Sequence, residues 1–218
     1  MKKVFSCLIL MMMIVCLGGF TPVEEDSFNF DINDLYDYEK QFESVDIDVC
    51  SMSNVKTYMD YRMTTVRSSN QYKFLNYECK VDPKTGFLYD KDGFIAIALG
   101  SYYGVIGDRF YITLDTGIVL PVVKGEEKAD VDTDWTGCYH TIDGSVMEFV
   151  IDSDYAYARF GGGNGLVLNG NYNNYSLTSG SIVRIEKVLD NKKSDLVSYQ
   201  NNNQEPEYMD IYYYGSGF

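Results

Sequence analysis

The sequence predicts an all-β domain, a compact barrel or sandwich, and three observations lead there. Short apolar or alternating runs recur between turn signals, no long amphipathic helix interrupts them, and 20 tyrosines stand against one tryptophan and four prolines. Tyrosine suits half-wet strands because it shows an apolar body and a polar tip. Gln71 to Val81 carries Tyr72, Phe74 and Tyr77 and reads as the first strand, ending at Asp82-Pro83-Lys84-Thr85-Gly86. In that turn Pro presets φ and Gly accepts a positive φ. Phe87 to Tyr89 is followed by the tight turn Asp90-Lys91-Asp92-Gly93. Phe94 to Leu99 is continuously apolar, as a strand covered on both faces should be. Phe110 to Leu114, Asp115-Thr116-Gly117 and Ile118 to Val123 make a hairpin. Ser145 to Ile151 and Ser181 to Leu189 supply the last strands.

Before this domain the chain opens on Lys2-Lys3, an apolar run from Val4 to Leu17 and the small pair Gly18-Gly19. Positive charge, grease and small residues in that order predict a signal peptide over 1–20 and an extracytoplasmic destination. The run is shorter than the ~20 residues of a spanning helix, so an anchor is the weaker alternative. Residues 21–58 read as an acidic linker with a short helix capped by Ser53-Asn54, for Glu24 to Asp48 holds ten carboxylates against Lys40 alone. The barrel is expected over 59–190 and a polar tail over 191–218.

Composition narrows the partners. A formal net charge of −14 repels nucleic acid and anionic membrane, which both need basic patches. No stable membrane insertion is expected once the signal is removed. Cys50, Cys79 and Cys138 lie beyond the signal; an odd number in a permissive compartment allows at most one bridge among them, with no pairing preferred.

His140 is the only histidine, and that removes many enzymes. Cys138 and His140 would sit roughly 6.5–7 Å apart along a strand, with no third group to orient the base, so Cys138 is expected to be dispensable for catalysis. Zinc spacings such as Cys-x-x-Cys are absent, and no cofactor is expected. Asp130, Asp132 and Asp134 alternate as in a calcium loop, but the required Gly and distal Glu are out of place. A solvated acid row is the alternative for that stretch.

Carboxylate chemistry remains. Glu126, Glu127, Asp130, Asp132, Asp134 and Glu148 are the candidate acids, and a pair of carboxyls suffices to cleave a glycosidic bond. Glu148 lies within Val146-Met147-Glu148-Phe149-Val150, where an inward position would raise its pKa and suit it to proton donation. Tyr102, Tyr103 and Trp135, with Tyr139 near the acids, are candidates to stack on sugar rings.

The stretch from Ile95 to Asp152 resembles a known family. Ala96-Ile97-Ala98-Leu99-Gly100, then Ile106-Gly107-Asp108-Arg109-Phe110-Tyr111-Ile112, is similar to the strand signature of double-psi β-barrels. These include the three-aspartate domain of bacterial cell-wall lytic proteins, membrane-bound lytic transglycosylase A and the expansins. Val122-Val123-Lys124-Gly125-Glu126 matches the family's acid-bearing loop, and Met147-Glu148-Phe149 its closing strand. Glutamates stand here where those families carry aspartates. The resemblance covers about a quarter of the chain. It implies a double-psi-like barrel and a wall protein that lyses peptidoglycan, with Glu148, Glu126 and Asp130 catalytic and Trp135, Tyr102 and Tyr103 binding substrate. The exchange of Asp for Glu favours the alternative, a non-catalytic surface module that binds glycan or a protein partner.

Overall fold

The computed structural model describes residues 38–160 and 171–189, with Asn33 and Leu35 ahead of them. The predicted signal peptide and C-terminal tail lie outside the described residues. The fold is mostly sheet with a few short helices. Its strands are β1 (Ser44–Ile47), β2 (Thr57–Asp60), β3 (Lys80–Val81), β4 (Leu88–Tyr89) and β5 (Ile95–Leu99), then β6 (Arg109–Leu114), β7 (Val119–Glu127), β8 (Glu148–Ile151) and β9 (Ile182–Val188). Helix α1 (Asn70–Lys73) runs into a π turn over Phe74–Glu78, and α2 (Ser153–Phe160) follows β8. No helix among the described residues is long and apolar enough to cross a membrane.

The strands form one mixed sheet in the order β1-β9-β6-β7-β5-β4-β3, and β8 joins β5 and carries β2. Most pairings are antiparallel; β5 with β7 and β2 with β8 are parallel. The sheet is not closed into a barrel, which corrects the closed form expected from the sequence. β1 and β3 are its ends because β1 bonds β9 only and β3 bonds β4 only.

β5 is the centre, and all five of its residues are buried. Ile95, Ile97 and Leu99 join one core with Phe110, Ile112, Phe149 and Ala156 of α2. On the other face Ala96 packs with Phe74, Leu75, Phe94, Val123 and Val150. Burying such a large apolar side chain is worth about 1.5–3 kcal/mol, and cover on both faces explains the unbroken apolar run. The hairpin forms as expected: Gly117 takes φ 85° and its N–H bonds Leu114 O at 2.9 Å.

Three local expectations are corrected. Residues 71–78 are helical rather than extended, because Ser69 caps α1 through its Oγ, which accepts from Tyr72 N at 3.1 Å. Adjacent Phe74 and Leu75 then enter one core, as helical neighbours can and strand neighbours cannot. The helix expected after Ser53-Asn54 is strand β2 instead. Ser53 Oγ spends its capacity on Val55 N in a turn, and Thr57 to Asp60 gain a ladder with β8. The predicted acidic linker supplies edge strand β1. Its charge is tolerated because Asp46 pairs with Arg184 of β9 and Lys40 pairs with Glu186.

Candidate functional site

The site begins with a register. Ala98 of β5 is opposite Glu126 of β7 on one side and opposite Glu148 of β8 on the other. Residues directly opposite in neighbouring strands share a face, so both carboxylates flank one small alanine. Two strand spacings separate their backbones, roughly 9–10 Å, and Ala98 offers no bulk between them.

Glu126 reaches that face only because the ladder slips. Ile97 is opposite Lys124 and Ala98 is opposite Glu126, so Gly125 is an extra residue in β7. Such a bulge inverts the alternation downstream. Lys124, upstream of the bulge, keeps the face of Ile97, opposite to Glu126; it is fully buried, and its Nζ donates to Gly100 O and Gly104 O, both at 2.8 Å, and to Glu127 at 2.9 Å. Gly125 suits the bulge because a Cβ there would lie 2.8 Å from Leu75 Cδ2.

The surroundings of the two acids differ. Glu126 Oε1 accepts from the neutral Gln71 Nε2 of α1 at 3.0 Å. Burial first, then the charges of Glu148 and Glu127, push its carboxyl up to about 7 from 4.5, against the Gln71 hydrogen bond and the Lys124 charge. Glu148 instead has Lys128 Nζ 3.5 Å from its Oε1. Lys128 is buried, and its Nζ also donates to Ser145 Oγ at 3.3 Å and Ser145 O at 3.4 Å. Burial lowers the Lys128 pKa, and Glu148 opposes that shift. The cluster thus holds a carboxyl whose pKa burial pushes up, beside a second acid in contact with a buried ammonium.

This arrangement has a stability consequence. A raised acid pKa means that the folded state keeps the Glu126 proton after the unfolded chain releases it, so this contribution declines as pH rises from 4.5 towards about 7. Glu126→Gln removes the titration. We expect urea denaturation to show the variant near the parent at pH 4.5 and about 1–3 kcal/mol more stable at pH 8, allowing for partial solvent screening. Equal differences at both pH values would contradict the burial of this carboxyl.

The other expected site residues are placed elsewhere. Asp130 Oδ1 accepts from Ser101 Oγ at 2.9 Å, on the turn after β5. Asp134 accepts from the backbone N–H groups of Cys138 at 2.7 Å and Tyr139 at 3.0 Å, which makes it a turn residue. Among the described residues, no group of three or more His, Cys, Asp or Glu side chains is arranged to hold a metal ion. Tyr103 is buried, with its hydroxyl 3.0 Å from Cys138 Sγ and its ring edge-on to Phe110. It has no face to offer a ligand, so the expected stacking role is corrected for this residue. Trp135 is 96% exposed and Tyr102 42%. Their turns touch, since Tyr102 N donates to Gly137 O at 3.2 Å.

Cys138 is bonded to Cys50, with Cα atoms 6.2 Å apart, and among the described residues Cys79 carries the free thiol. The Cys138–His140 pair is thereby excluded as a nucleophile and base. His140 Nδ1 instead lies 3.1 Å from Asp143. Neither Gln71 nor Lys128 stands out in the sequence as part of the site. Gln71 was hidden by the strand reading of its segment, and Lys128 by its place in an acidic run. The sequence matches no protein-family model and no curated protein.

Proposed function

We propose that this is a secreted or cell-surface domain of bacterial cell walls, related to double-psi barrels, that cleaves peptidoglycan glycosidic bonds with a carboxyl pair. The observation that carries the proposal is the convergence of Glu126 and Glu148 on Ala98, and burial of the Glu126 carboxyl, which pushes its pKa up, supports it. Glycosidic cleavage needs a proton donor for the leaving oxygen and a second carboxylate to stabilise positive charge or activate a nucleophile. Glu126 fits the donor and Glu148 the carboxylate, the reverse of the emphasis expected from sequence, because Lys128 faces Glu148. The parallel pairing of β5 with β7 supports a link to the double-psi fold, and the Cys50–Cys138 bridge suits an oxidising compartment.

The second reading is a non-catalytic module that binds glycan or a protein partner. It is favoured by Trp135, almost wholly exposed on a turn tied down by the adjacent disulfide. A flat aromatic ring so exposed offers a face on which a sugar or a partner side chain can stack.

Purified peptidoglycan separates these readings. The protein is incubated with it at pH 6, soluble fragments are identified by mass spectrometry, and binding is measured by co-sedimentation. Fragment release supports the lytic domain. Binding without release supports the module, and neither binding nor release overturns both.

A further inference from the structure

The two carboxyls share a face, and the charge of each acts on Lys128, but only Glu148 is in contact with it. The backbone N–H of Lys128 donates to Leu99 O at 3.1 Å, extending the line of β7 one residue beyond Glu127. Alternation returns its side chain to the face of Glu126 and Glu148. There it is buried, at 4% side-chain exposure against 26% for Glu148. Its Nζ meets Glu148 Oε1 and both oxygens of Ser145, whereas Glu126 is met by the neutral Gln71 amide of α1.

We propose that Lys128 is the positioning residue of this pair: its ammonium holds Glu148 as the carboxylate and leaves the pair's proton on Glu126. This rests on the assignment of Glu126 and Glu148 as a working pair, and it concerns which of them is the acid. Two carboxyls facing one alanine repel, so one proton tends to stay between them, and its location follows the nearest cation. The charged neighbours among the described residues have known places. Glu127 and Lys124 come from β7, and Asp143 comes from the segment before β8. Lys124 is engaged on the far face by Glu127 and two carbonyls, and Asp143 is engaged by His140 and Ser145 N. Lys128 is the cation in contact with Glu148. Ser145 orients it, since two acceptors from one residue hold the ammonium while the third direction faces the carboxylate.

The test reads titration without any substrate, so it is independent of whether the wall is cut. Carboxyl carbons of 13C-labelled glutamate are followed by NMR in the intact protein and assigned with E126Q and E148Q. In the parent, Glu126 holds its proton to higher pH than Glu148. In Lys128→Met the Glu148 midpoint rises by about one unit or more and the order of the two acids becomes shared or reversed; Lys128→Arg restores the parent order. A folded K128M with both midpoints unchanged overturns the proposal, as does a folded K128R that behaves like K128M. Should K128M not fold, the Lys128 ammonium of the parent chain is titrated instead. E148Q is expected to lower its midpoint more than E126Q does, and the opposite ranking overturns the proposal. If the titrations behave as stated and the protein releases no wall fragments, the lytic reading fails alone.

Discussion

Replacing Glu126 by Gln is expected to lower the rate of peptidoglycan cleavage at pH 6 by about 10²–10⁴, with co-sedimentation on the wall retained. Gln keeps the volume and can accept the Gln71 amide hydrogen, yet it has no acidic proton for a leaving oxygen. The pH dependence provides a second signature. With the carboxyl pushed up to about 7, the parent's activity should fall as pH rises through that value, because the acid is lost there. Glu148→Gln should also be strongly impaired, but its residual activity should fall at lower pH than the parent's. The Glu148 charge is one of the two that help Glu126 hold its proton, and removing it eases ionisation. An E126Q variant that cleaves within a few-fold of the parent would reject Glu126 as the acid. Loss of both cleavage and wall binding would point to a collapsed site instead.

Removing the disulfide should give the largest loss of stability. The Cys50–Cys138 bridge joins positions 88 residues apart, and closing a loop of that length restricts the unfolded chain by about 4–5 kcal/mol in the chain-entropy treatment. The double variant Cys50→Ser with Cys138→Ser is therefore expected to unfold at much lower urea than the parent under non-reducing conditions. The buried Tyr103 hydroxyl also loses its contact with Cys138 Sγ. Where the variant remains folded, wall cleavage should stay within a few-fold of the parent, since neither sulfur lies in the carboxyl cluster. A loss below about 1 kcal/mol would show that the bridge does not constrain the chain in solution. Abolished turnover in a folded variant would instead make the loop between β7 and β8 part of the catalytic machinery.

Much of this molecule was legible from its residues. The sheet-rich class, the buried strand at Ile95–Leu99, the hairpin around Asp115-Thr116-Gly117 and the strand ending at Ile151 all follow from local pattern, because burial and turn chemistry are written into neighbouring side chains. Glu148 was also identifiable as a candidate, being the one acid in an apolar run, and Glu126 through the resemblance to an acid-bearing loop. Local pattern misled where two readings of similar strength competed. Tyr72, Phe74 and Tyr77 suit a strand by residue type, and a Ser69 hydroxyl capping the first turn favoured helix.

What only the tertiary structure decided is how residues distant in the chain meet. The bulge at Gly125 depends on how β7 registers against β5, and no count along the sequence shows that it turns Glu126 to the face of Glu148. The same holds for Tyr103, which looks like the twin of Tyr102 but is buried against Cys138. It holds too for the choice of Cys50 over Cys79 as the partner of Cys138. Residue types set what each position can do chemically. Register and long-range packing set which positions act together, because a one-residue slip reverses the face of every side chain beyond it.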